Sequence, residues 1–161
     1  ELLNTLRLSR IALHARTGKQ QYKGHPDLEA FQGFYELCQH PLYYNGGIES
    51  LSDIRQILIR FPLLKGVFIG RGLLSSPLLA KEFKGNETFL PEQRMSIYFA
   101  FHEELFSAYS QVLQGETQLL VKMKTLWEYF LPETDRKLLK RIKKSTRLQQ
   151  YTESVKAIFT S

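Results

Sequence analysis

The chain has 161 residues, 43% of them hydrophobic and 24% charged, which is enough for a globular domain with a real core. No apolar run approaches the ~18 residues of a membrane span and no signal peptide is visible; a single cysteine, Cys38, excludes an internal disulfide and fits a reducing cytoplasm. The net charge of +6 permits an acidic partner, and a chain that opens on Glu1 in what reads as a helix tail is expected to be a fragment.

Three short apolar runs come first: Ile11-Ala12-Leu13, Pro41-Leu42-Tyr43-Tyr44 and Gly66-Val67-Phe68-Ile69. Each is followed by a polar or glycine-rich loop and then by helical spacing, near 27–39, 51–60 and 76–83. Short strands alternating with helices imply βα units and a parallel sheet. Taken alone, Asn45-Gly46 is a hairpin signal. Yet Ile48, Leu51, Ile54, Ile57 and Leu58 follow at helix spacing, and Ser50 with Asp53 forms an S-x-x-D helix start. Asn45-Gly46-Gly47 is therefore expected to be a βα loop at the carboxyl end of a strand.

Residues 91–161 hold no strand candidate. Pro91 opens a long helical face (Met95, Tyr98, Phe99, His102, Leu105, Phe106, Tyr109), Gly115 separates it from the next, and two more helices are predicted near 134–145 and 147–159. The pattern divides the chain into a sheet-containing part, 1–88, and a helical part, 89–161.

The loop after the next strand is also glycine-rich: Gly70-Arg71-Gly72, with a helix entered through Ser75, Ser76 and Pro77. Two successive βα loops of this kind are where a (β/α)₈ barrel commonly holds a phosphate. Glycine lets backbone N–H groups approach the anion, and Arg71 adds a fork suited to phosphate. The alternative is that each glycine only relieves a tight turn.

His14-Ala15-Arg16-Thr17, with Gln20 or Gln21 and then Tyr22, resembles the H-x-R-T…Q-x-Y motif of tRNA-dihydrouridine synthases. Asn45-Gly46-Gly47-Ile48 resembles their N-G-D-I motif, with Gly47 where the family usually has Asp, and Ile69-Gly70-Arg71-Gly72-Leu73 resembles their I-G-R-G/A segment. Met123-Lys124-Thr125-Leu126-Trp127-Glu128-Tyr129 is similar to part of the family's C-terminal helical domain. The resemblance implies an α/β fold: strands six to eight of an FMN-binding TIM barrel, followed by an all-α helical bundle that binds tRNA. It also implies an NADPH-driven oxidoreductase that reduces uridine to 5,6-dihydrouridine in tRNA, in the cytoplasm. Under it His14, Asn45, Gly46, Gly47, Gly70 and Arg71 hold FMN, while Arg16 and Tyr22 face the target nucleotide. The family's flavin loop, catalytic cysteine and fifth-strand lysine have no counterpart here, so no catalytic residue is assigned and the fragment alone is expected to be inactive.

Other readings stand beside these. His14 could be an ordinary half-buried histidine, Arg16 a partner of a surface acid, and Tyr22 a loop-packing residue. Cys38 lies late in a helix at the opposite pole of its βα unit and reads as a small buried residue. No metal-ligand spacing is present. Arg136, Lys137, Lys140, Arg141, Lys143, Lys144 and Arg147 place seven cations in a stretch of twelve residues without an acid. Such one-signed density suits a phosphate backbone, with Lys140, Arg141 and Lys144 as tRNA contacts; a solvated helix face is the alternative. A different FMN-dependent barrel oxidoreductase and a non-catalytic RNA-binding remnant are the competing functions.

Overall fold

The computed structural model describes residues 1–21 and 23–160. Strands β1 (Ile11–His14), β2 (Leu42–Asn45) and β3 (Gly66–Phe68) form one parallel sheet in that order. Helices α1 (Leu28–Leu37) and α2 (Leu51–Arg60) are the crossovers that parallel neighbours require. The register runs Leu13↔Tyr44↔Val67 and His14↔Asn45↔Phe68, so the last three residues end their strands in one row.

Alternation along β2 sets the two faces of the sheet. Leu42 and Tyr44 are buried, whereas Tyr43 and Asn45 are half-buried. Tyr44 meets Phe31 of α1 edge-on with ring centroids 4.9 Å apart, and Phe31 meets Phe61 at the same distance. Ile54 and Ile57 of α2 are buried as well.

Local chemistry fixes the helix ends. Asp27 Oδ1 accepts from the Ala30 N–H at 2.9 Å and starts α1. The expected start of α2 is a complete capping box: Ser50 Oγ accepts from Asp53 N–H at 3.1 Å, and Asp53 Oδ2 accepts from Ser50 N–H at 2.8 Å. The end of α1 is closed from a distance. Asn4, in a short 3-10 turn over Leu2–Thr5, donates to the Leu37 carbonyl at 2.8 Å and accepts from Gln39 N–H at 3.1 Å. Cys38 caps α1, half-buried, its thiol 3.6 Å from the His40 carbonyl.

One local expectation is corrected after β3. Gly70-Arg71-Gly72 is not a free loop, because a one-turn helix, α3 (Arg71–Ser75), begins at Arg71 and is followed by α4 (Leu79–Gly85). Gly72 inside that turn is required by crowding. A Cβ there would stand 2.3 Å from the Ile48 carbonyl oxygen.

A first compact unit ends at Leu73 and a second begins at Leu74. The second is helical among the described residues: α4, then α5 (Pro91–Val112), α6 (Glu116–Leu126), α7 (Arg136–Lys144) and α8 (Leu148–Phe159). Its core gathers Met123, Trp127, Phe130, Ile142, Tyr151 and Val155. Inside it, the Tyr151 hydroxyl accepts from Trp127 Nε1–H at 3.0 Å and lies 2.6 Å from His102 Nε2. Burial raises the Tyr151 pKa, so the phenol keeps its proton and donates it to His102. His102 Nδ1–H then donates to Glu103 Oε1 at 3.0 Å. Burial lowers the His102 pKa, only partly opposed by Glu103.

Candidate functional site

The carboxyl ends of the three strands meet at a cavity of about 200 Å³. From β1 and its loop come His14 and Arg16; from β2 and its loop, Asn45, Gly46 and Gly47; beyond β3, Gly70 and Arg71. Residues from three motifs, separated by tens of positions in the chain, thus share one wall. Ligands of open and closed α/β sheets sit at this end of the strands, because loops there vary while the sheet holds their roots.

The loop after β1 folds back on the sheet. Ala15 N–H donates to the Asn45 carbonyl at 3.1 Å, and the Ala15 carbonyl accepts from Asp27 N–H at 2.8 Å. Arg16 Nη2 donates to the Gly24 carbonyl at 3.1 Å, which steers the guanidinium toward the cavity rim. Two buried nitrogens in this wall, His14 Nδ1 and Arg16 Nε, have no hydrogen-bond partner among the described residues. Buried polar atoms are rarely left so, and an orphaned pair in a cavity lining is what a site awaiting a polar ligand looks like.

After β2, Gly46 and Gly47 have φ of 143° and 61°. Both lie in the region that side chains rarely adopt. A Cβ at Gly47 would stand 2.9 Å from Pro26 Cγ and 3.8 Å from Arg16 Nη2. Pro26 therefore fills the place of the acid expected by resemblance. Two backbone donors just before α2 are already committed, since Asp53 Oδ2 accepts from both Glu49 N–H, at 3.0 Å, and Ser50 N–H. An anion in the cavity has the side chains and the glycine backbone to draw on. Tyr44, beneath this loop, has its pKa raised by burial, with Arg16 opposing and Asp53 assisting.

The sequence reading missed Ile48, Glu49, Phe68 and Gly72, all in the same lining. Phe68 could have been found from strand register alone; the others depend on how closely two loops approach. Tyr22 lies outside the described residues. No group of His, Cys, Asp and Glu is placed to hold a metal among the described residues.

The second predicted group lies in the second unit. Lys140, Arg141 and Lys144 are exposed on α7 and, with Lys137, line a surface groove of about 420 Å³ that also includes Glu153. Ile142 is buried beneath them. Among the described residues, none of the seven cations from Arg136 to Arg147 forms an ion pair.

A model of the dihydrouridine synthase (Dus) family matches residues 8–160. The chain belongs to the dihydrouridine synthase family. A probable tRNA-dihydrouridine synthase of Aquifex aeolicus (strain VF5) is 33% identical over 84 residues, which is 52% of this chain and 26% of that protein. One of Rhizobium leguminosarum bv. phaseoli is 36% identical over 67 residues, 42% of this chain and 21% of that protein. The matched segments thus span about a quarter of the length of these dihydrouridine synthases. Within the described residues of this family member, no helix is long and apolar enough to cross a membrane.

Proposed function

We propose that this chain supplies strands six to eight of a barrel and the helical tail of an FMN-dependent tRNA-dihydrouridine synthase. The observation that carries the reading is the convergence of three motifs on one cavity that presents two buried nitrogens unpartnered among the described residues. The donor set fits a flavin mononucleotide. Arg71 carries a guanidinium fork of the kind that suits phosphate, Gly46, Gly47 and Gly70 admit close backbone approach, and His14 Nδ1 is open to a further hydrogen-bond partner. Bound there, FMN would supply the hydride chemistry, drawing electrons from NADPH and saturating the uracil ring of a tRNA uridine.

This chain's own residues bind and orient. Asn45 ends the central strand level with His14 and, lining the cavity, would contact the flavin. Arg16 is assigned to the target nucleotide, and the motif assigns Tyr22 to it as well. A uridine must leave its stack to reach such a site, so a cation at the mouth favours the extruded nucleotide. Lys140, Arg141 and Lys144 of α7 hold the tRNA backbone through counterion release. The proton donor and the remaining flavin contacts come from other parts of the enzyme, which acts in the cytoplasm on its tRNA substrate. The test is direct: incubate the complete gene product with FMN, NADPH and unmodified tRNA, then measure uridines that gain two hydrogens by mass spectrometry. Reduction of tRNA supports the reading; reduction of a small-molecule acceptor with tRNA untouched would replace it by a different barrel oxidoreductase.

A further inference from the structure

We infer that Phe68, backed by Tyr43, is an apolar floor on which the planar ring of the cavity's ligand lies. The inference rests on the flavin reading above and adds a residue that neither the motifs nor the phosphate rule select. Phe68 closes the row His14↔Asn45↔Phe68 at the strand ends, and it lines the cavity. It is the aromatic member of a lining that is otherwise glycine, polar or cationic apart from Ile48. Phe68 is 45% exposed, so its apolar surface is open to a ligand in the cavity.

The ring is also held. Tyr43 meets Phe68 edge-on with centroids 5.7 Å apart. Tyr43 can lie there because its register partner is Gly66, where a Cβ would stand 3.3 Å from the Tyr43 ring. A braced aromatic beside a cationic anion site divides the labour: Arg71 reads the phosphate and Phe68 reads the ring. Stacked or edge-on aromatic pairs contribute beyond their buried area, and an isoalloxazine is such a partner.

The experiment uses the complete gene product and three probes: FMN, riboflavin and inorganic phosphate. Phe68→Leu keeps apolar bulk and removes the aromatic face. It should weaken FMN and riboflavin about three- to tenfold and leave phosphate affinity unchanged. Phe68→Trp should keep FMN affinity and quench the flavin's emission further, because indole stacked on flavin donates an electron to its excited state. A melt on each variant checks the fold. If the parent binds FMN and Phe68→Leu binds riboflavin equally well, the floor is overturned while the flavin reading stands. Equal weakening of phosphate would also overturn it, as general distortion. A parent that binds neither flavin overturns both.

Discussion

Gly72→Ala should damage the protein far more than Gly70→Ala, although the two glycines are neighbours in one motif. The added methyl at Gly72 would stand 2.3 Å from the Ile48 carbonyl oxygen and 3.1 Å from Glu49 Cα. Ordinary C···O contacts begin near 3.3 Å, so the two loops must part by about 1 Å. Neither partner yields cheaply. Both are backbone, and the Glu49 and Ser50 N–H groups are pinned to Asp53. Overpacking of this kind costs about 1–3 kcal/mol. Replacing glycine in a helical turn returns up to about 1 kcal/mol; against backbone that cannot yield, the upper end of the overpacking range applies and a net loss of roughly 2 kcal/mol remains. At Gly70 a Cβ meets nothing within 4 Å, so stability should change by only a few tenths of a kcal/mol, about the size of an ordinary surface substitution. Urea denaturation of the complete gene product measures both, with the midpoint read at constant slope. FMN affinity should also fall in Gly72→Ala, because Ile48 and the 70–72 turn line the cavity. A Gly72→Ala protein as stable as its parent would refute the close approach of the two loops.

Three further outcomes follow from the second unit. The His102 pKa is lowered by burial, so the unfolded chain takes up this proton first. Stability is therefore fully present above about pH 6.5 and should fall below it, by up to about 1.4 kcal/mol per pH unit. The gap in unfolding free energy between parent and His102→Gln should narrow as the pH drops from 8 to 5.5; a gap independent of pH would contradict the neutral, Tyr151-bonded imidazole. Arg94→Met leaves the carboxylate of Glu82, 3% exposed, without its ion-pair partner, and should cost roughly 3 kcal/mol in a melt. Replacing Lys140, Arg141 and Lys144 together with Gln should flatten the log–log salt dependence of tRNA binding by about two to three units and leave FMN affinity unchanged; an unchanged slope would make α7 a solvated face only.

What the sequence disclosed is what local chemistry decides. Apolar runs of three or four residues marked all three strands, and Ser50 with Asp53 marked the head of α2 to the residue. That assignment turned Asn45-Gly46-Gly47 from a hairpin into a βα loop, which in turn brought it beside Gly70 and Arg71. What stayed hidden depends on distant parts of the chain. Asn4 closes α1 across 33 positions, and no helix-end signal reports it. Pro26 fills the space above Gly47, which explains how glycine is accommodated there and is invisible in either segment alone. Ser75, Ser76 and Pro77 signal a helix start that hides the α3 turn before them, while the crowding that demands Gly72 is a tertiary fact. Phe68 passed as one more strand residue until the register set it level with His14 and Asn45.

The most direct measurement for the central claim is a flavin fluorescence titration of the complete gene product, parent against Arg71→Ala, with FMN and with riboflavin. Loss of a charge-assisted phosphate contact costs about 1.5–3 kcal/mol, so FMN should bind roughly ten- to a hundredfold more weakly to the variant. Riboflavin, which lacks the phosphate, should bind parent and variant alike. Unchanged FMN affinity in Arg71→Ala would contradict the account, because the cavity at the strand ends would then not be where the phosphate is held.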